Sequence, residues 1–208
     1  MRLDRFFGKY AVTEKPEGFW VSDAETDNGT LGPLISHYGG TAFNRGIYRL
    51  HTWTGIDLWS GTVGRAFPAL DRQVVIFGQD WQGNQFGWRN VGDPKVLLFQ
   101  IGSGEVFEIA DSIASFHDQE LVEHSAEALN ERLWHAWVAL GGDLPNADQC
   151  VGYRIPIYLG GRDQLENLEL CDLQVYWGIN AQLLQQVRAL PPGTPISEVR
   201  IVRNPTGS

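Results

Sequence analysis

From residue 46 the chain alternates apolar and polar positions in short runs. GIYRLHTW (46–53), QVVIFGQD (73–80), NQFGWRN (84–90), KVLLFQI (95–101) and GEVFEIA (104–110) share this two-residue period. That period puts successive side chains on opposite faces of a strand. The last four runs recur about every ten residues, and DWQGN, GDP and GSG separate them. Turn formers at that rhythm predict an antiparallel meander, with GSGE (102–105) as a tight hairpin.

The period then changes. After Asp111 and Ser112, a natural N-cap pair, apolar residues recur at helical spacing from 113 to 140. Leu121, Ala128, Leu129, Leu133, Ala136, Trp137 and Leu140 form the stripe, which ends at Gly141-Gly142; His117-Asp118 is where the run can divide into two helices. CVGYRIPIYLGG (150–161) is apolar but interrupted by Pro156, which fits an edge strand or a loop packed on the core. Asp172 is placed to cap a last helix, with Leu173, Tyr176, Trp177, Asn180, Leu183, Leu184 and Val187 at three- and four-residue steps. PPGTP (191–195) stops it. The first 35 residues are polar, and SDAETDNGT (22–30) reads as a loop. Strands precede helices, so the expectation is an α+β chain. Its antiparallel or mixed sheet with flanking helices falls in 1–110, and a helical portion, 111–208, packs on it as one unit.

Composition narrows the class. At 208 residues, 43% hydrophobic, with eight tryptophans, the chain is globular and long enough to bury a sizeable core. No apolar run approaches the length of a membrane span, and MRLDRFFGKY has no apolar segment of signal-peptide length. The cytoplasm is the expected compartment, with no membrane partner. Cys150 and Cys171 are too few for a disulfide scaffold and match no zinc spacing, so they are expected as reduced, buried thiols.

Chemistry is sparse. GGTAFNRGIYRLH (39–51) is glycine-rich with an arginine, yet it matches neither GxxxxGK[ST] nor GxGxxG. It also precedes a strand, whereas phosphate loops lead into a helix N-terminus. Its glycines are expected to permit positive φ where the chain turns into the sheet. HDQELVEH spaces His117 and His124 seven residues apart, about 10 Å along a helix, too far for a compact metal site. Glu105 and Glu108 stand three apart on a strand, on opposite faces, and cannot pair as acid and base. GxSxG and HExxH are absent. The expectation is a chain that is not an enzyme, with no catalytic residues, metal or cofactor. Trp81, Trp88, Trp134, Trp137 and Trp177 are read as core, because a strongly negative chain opposes stacking on nucleic acid.

Charge adds one positive indication. The net charge is −9, and Glu105, Glu108, Asp111, Asp118, Glu120, Glu123, Glu127 and Glu131 are accompanied between 105 and 132 only by Arg132. Such a stretch is either a solvated helix face or a docking surface for a basic protein. On one continuous helix Glu120, Glu123, Glu127 and Glu131 would project together, beside the apolar stripe. These four are the candidate partner-binding residues.

The same residues resemble a known family. GGTAFNRGIYRLH preceded by ISHY, IFGQDWQGNQFGW, and LLFQIGSGEVFEIADSIASFHDQEL are similar to segments of GAD-like immunity proteins. CVGYRIPIYLGGRDQLENLELCDLQVYWGINAQLLQQVRALPPGT resembles the C-terminal domain of type VI secretion immunity proteins. Together the segments span about residues 34 to 195, and the C-terminal block is the most distinctive. The resemblance implies an SMI1/KNR4-like immunity fold, a mixed sheet with flanking helices. It also implies a cytoplasmic antitoxin that binds and neutralises a cognate secreted toxin, typically a nuclease. Two other classes fit the residues: a regulatory or scaffold module of the same fold, and a small-ligand binder using Arg45, Tyr48, Arg49 and His51 around a cleft.

Overall fold

A computed structural model gives the architecture and describes residues 3–16, 31–89, 91–191, 194 and 201. The stretch SDAETDNGT lies outside the described residues. Seven strands form one sheet in sequence order: β1 (Val12–Glu14), β2 (Ala42–Phe43), β3 (Tyr48–Leu50), β4 (Val74–Asp80), β5 (Gln85–Arg89), β6 (Lys95–Gln100) and β7 (Glu105–Ala110). Every neighbouring pair is antiparallel. The meander from β4 to β7 thus stands where the alternation put it.

Both faces of this sheet are covered. Along β6, Val96 and Leu98 join one buried cluster with Phe6, Phe77, Phe86 and Phe116. Leu97 and Phe99 join the other, with Trp59, Phe67, Ile76 and Trp177. Strands buried on two faces read as continuous apolar runs, which is the origin of VLLF in β6. The second cluster is closed by two helices, α3 (Trp53–Ala66) and α8 (Leu173–Arg188).

Helix α3 departs from the expected strand over 46–53, of which only 48–50 is extended. Thr52 caps the helix, its side chain accepting from the Gly55 N–H. Ile56, Trp59, Val63 and Ala66 are its buried stripe. Gly55, Gly61 and Gly64 lower its intrinsic propensity, so tertiary burial holds it. Two further helices, α1 (Asp4–Lys9) and α2 (Leu31–Tyr38), flank the sheet on either side of the stretch read as a loop, where no helix was expected. Among the described residues three helices therefore precede β4, and the order is not strands followed by helices.

The run 113–140 is helical but broken more finely than expected. It consists of α4 (Ile113–Ser115), a π-helical turn at Phe116–Glu120, α5 (Leu121–Glu123), α6 (Ser125–Ala128) and α7 (Glu131–Ala139). Ser112 and Ser115 form a reciprocal capping box at its start. Helix α1 causes much of the interruption. The Lys9 ammonium donates to the carbonyls of Leu121 and Val122, at 3.3 and 2.9 Å, and the Tyr10 hydroxyl donates to Leu121 O at 2.7 Å. Asn130 lies in the left-handed region, φ 47°, and separates α6 from α7.

The C-terminal portion also holds a two-stranded antiparallel sheet, β8 (Gln149–Tyr153) and β9 (Leu168–Asp172). It docks on the large sheet through Val151 N–H, which donates to Trp81 O at 2.8 Å. Asp172 caps α8 as expected, accepting from the Val175 N–H at 2.8 Å. Trp177 on α8 donates its indole N–H to Gly83 O at 2.7 Å.

Candidate partner-binding surface

The break at 113–140 decides where the acidic residues go. Glu120 ends the π-helical turn, Glu123 ends α5, Glu127 is in α6, and Glu131 begins α7. Backbone off the helical track at His124 (φ −124°, ψ 32°) and at Asn130 intervenes. The four glutamates therefore do not share the face of one helix, because the helix that would align them is not continuous.

Their roles divide accordingly. Glu123 pairs with Arg5 at 2.7 Å. Glu131 accepts a hydrogen bond from the Ser125 hydroxyl and lies 3.7 Å from His135 Nε2. Glu120 lines a polar cleft of about 390 Å³ with Lys95, Glu108, Asp111 and Gln119, beside β7. Glu127 lines a second cleft, about 400 Å³, with Glu105, Asp163, Gln82, Asn130 and Tyr153. The carboxylates still act on one another. Burial pushes the Glu120 carboxyl up, His124 opposes this, and Glu127 and Glu123 add to it. Mutual repulsion of that kind marks a concentrated negative field.

Counting charges along the sequence overstated that field. Glu108 pairs with Arg89 at 2.7 Å and Asp111 with Lys95 at 2.6 Å, the bases arriving from β5, two strands away, and from the adjacent β6. Asp118 accepts from the backbone N–H groups of Arg5 and Phe6, at 2.8 and 3.0 Å, and holds the start of α1. Among the described residues, Glu105, Asp118, Glu120 and Glu127 are the acids of this stretch without an ion pair, and of these Asp118 is taken up by the backbone of α1. The neutralising Arg5, Arg89 and Lys95 were missed because they lie outside the stretch. The register of β5, β6 and β7 carried the signal for two of them.

The alternative cleft at Arg45, Tyr48, Arg49 and His51 is only half assembled. Arg49 and His51 line a cleft of about 280 Å³ with Thr52, Trp59, Asp148 and Gln174. Tyr48 is buried in the core, where its hydroxyl lies 2.8 Å from His117 Nε2. Arg45 is exposed at φ 66° and lies outside that cleft. Arg49 is itself buried and paired with Glu14 at 2.9 Å. His51 lies 2.7 Å from Gln85 Oε1 and stacks on Trp59; burial lowers its pKa to about 4. Gly40 and Gly46 both have positive φ, 76° and 95°, on either side of β2. The glycine segment turns the chain out of α2 and into the sheet.

The two histidines considered for metal have different surroundings. His117 is fully buried, 2.8 Å from the Ile113 carbonyl through Nδ1 and 2.8 Å from the Tyr48 hydroxyl through Nε2. A carbonyl only accepts, so Nδ1 carries the proton and Nε2 accepts from Tyr48. His124 is exposed at the junction of α5 and α6. Among the described residues no group of three or more His, Cys, Asp or Glu side chains is placed to hold a metal ion. No helix among them is long and apolar enough to cross a membrane.

Comparison with known proteins places these features in context. Residues 110–184 match the family model described as T6SS immunity protein Tdi1, C-terminal. The match runs from the end of β7 into α8 and supports a type VI secretion immunity protein family; it does not bear on the GAD-like and SMI1/KNR4-like part of the resemblance. Immunity proteins of this family are not enzymes, in agreement with a chain read as having no catalytic residues. A search of curated proteins found no match. Among solved structures, the crystal structure of Atu4351 from Agrobacterium tumefaciens is similar, with a TM-score of 0.59 and 16% identity. The similarity covers 87% of this chain and 89% of that one, and at such identity it speaks for the fold alone.

Proposed function

We propose that this chain is an immunity protein that binds a cognate secreted toxin and neutralises it by covering its active or substrate-binding site. The observation that carries the reading is the family match over 110–184. That segment contains Glu120, Glu123, Glu127 and Glu131, both strands β8 and β9 and most of α8, so the resemblance falls on much of the acidic surface. The toxin we propose is a basic nuclease, met in the cytoplasm. A nuclease needs a positive surface to hold phosphates, and a −9 chain presenting Glu105, Glu120 and Glu127 complements it. Opposite potentials accelerate encounter and orient it, while occlusion itself needs only tight binding. We place the interface around the two clefts at either end of the stretch from the π-helical turn to α6, with Glu120 and Glu127 as its steering residues and Glu123 and Glu131 at its margin.

Co-expression with the toxin encoded beside its gene tests the reading. Cells carrying both proteins are expected to survive, and the two should elute together at equal stoichiometry in size-exclusion chromatography. Survival lost to the neighbouring toxin, together with no complex, would favour a scaffold module of the same fold.

A further inference from the structure

We infer that Cys150 and Cys171 form a redox-active dithiol that closes to an intramolecular disulfide on exposure to a small disulfide such as oxidised glutathione. The two residues are direct register partners across β8 and β9. Their sulfurs lie 3.6 Å apart in the reduced protein. Opposite residues of an antiparallel pair have Cα atoms about 4.5 or 5.5 Å apart, and both values fall within the roughly 4.4–6.8 Å that disulfides span. Closure to the bonded S–S distance of about 2.05 Å needs side-chain rotation and no change of register.

The two thiols are unequal in a way that orders the chemistry. Cys171 is partly exposed, whereas Cys150 is fully buried. The Cys150 thiol, 3.6 Å away, lowers the Cys171 pKa by hydrogen bonding; partial burial opposes this and the Gly152 backbone N–H adds to it. The net direction favours the Cys171 thiolate against the nearby Glu169 and Asp172 carboxylates. Burial holds Cys150 as the neutral thiol. Cys171 is therefore the attacking sulfur and Cys150 the resolving one. The Cys171 thiolate attacks one sulfur of the oxidant, breaking its S–S bond, forming a mixed disulfide and releasing one small thiolate. Cys150 then gives its proton to that thiolate and attacks the Cys171 sulfur, expelling a second small thiolate that takes up the proton Cys171 had lost. The dithiol loses two electrons and two protons, and one oxidised glutathione becomes two reduced ones. Positions 21 apart in sequence are then tied together beside Asp172, the residue that caps α8.

The test uses the full native chain with oxidised glutathione at stepped concentrations, followed by acid quenching, thiol titration and intact mass. Wild type is expected to lose both thiols together, to lose the mass of two hydrogens, and to recover both on treatment with dithiothreitol. Cys150→Ser is expected to stop at a stable glutathione adduct on Cys171, and Cys171→Ser to resist modification while folded. Circular dichroism melts verify that each variant is folded, with Cys150→Ala as the replacement where serine unfolds the buried site. The inference fails if wild type accumulates the adduct without resolving it or links only between molecules. It also fails if both thiols stay free at a concentration that modifies folded Cys150→Ser or Cys150→Ala.

Discussion

Trp177 shows how one side chain ties the portions before and after residue 110. It is fully buried, donates to Gly83 O, and meets Trp59 and Phe67 edge-on at 6.1 and 6.4 Å. Truncating a buried tryptophan costs about 3–5 kcal/mol, a large share of the roughly 5–15 kcal/mol that holds a domain. Trp177→Ala is expected to lower the melting temperature by about 6 °C or more, read by differential scanning fluorimetry. Unchanged melting with lost partner binding would make it an interface residue.

His117 and His51 give the residue scale its pH dependence. Burial lowers both folded pKa values from 6.5 to about 4. The unfolded chain therefore binds these protons more readily, and their contribution, fully present above pH 6.5, is lost as pH falls toward 4. Asp80 acts in the opposite sense. Burial raises it from 3.8 to about 7, so its protonated form adds stability at low pH that is lost as pH rises through 7. Between pH 6.5 and 4 two histidines act against one aspartate, and the net expectation is lower stability on acidification. Melting temperatures at pH 7 and 5 measure the sum. An NMR titration of the His117 ring measures the cause, and a midpoint near 6.5 in the folded state would contradict it.

At the scale of elements, position 130 isolates the break between α6 and α7. Asn130 holds φ 47° and donates from Nδ2 to Gln82 Oε1 at 3.1 Å. A β-branched residue resists that conformation, and the left-handed region costs an ordinary residue about 1–2 kcal/mol. Asn130→Val is therefore expected to destabilise the protein by at least that much, measured by urea unfolding, with Asn130→Gly milder because glycine accepts positive φ. Equal stability of all three proteins would show that the break is not held at this residue.

What the sequence disclosed at this scale follows from how local each determinant is. Strands β4 to β7 were legible because alternation and turns lie within ten residues of one another. Helix α8 was legible because Asp172, its apolar steps and PPGTP lie on one segment. Helix α3 was hidden by its three glycines and its threonines, whose weak propensity is overridden by Trp59 and Val63 packing on Ile76 and Trp177. The division at His117-Asp118 was legible, but the further breaks at His124 and Asn130 were not; at the first of these, Lys9 and Tyr10, more than a hundred residues away, take the carbonyls that a continuous helix would use. The candidate surface inherits that limit. Its acids could be read from the sequence, but their division between two clefts and three neutralising bases could not.

For the whole molecule, the quantity that tests the proposed function is the association rate with a basic toxin. Glu105, Glu120 and Glu127 have neither an ion pair nor a backbone donor among the described residues to hold them, and two of them, Glu120 and Glu127, reinforce one another electrostatically. Glu123 differs, because Arg5 already faces it. Reversing Glu120 and Glu127 to Lys should slow association about tenfold at low ionic strength, with little change in melting temperature, since steering acts on encounter and not on packing. Glu123→Lys sets two cations together and loses an exposed pair, which costs at most about 1 kcal/mol; its effect on association should be smaller than the double reversal. Near 0.15 M salt the screening length is about 8 Å, so the difference between wild type and double variant should shrink as salt rises. Stopped-flow kinetics against the toxin at several ionic strengths separates the cases. A double variant as fast as wild type at every salt concentration would move the interface away from α5 and α6, while a rate lost equally at all of them would point to contact residues and not to steering.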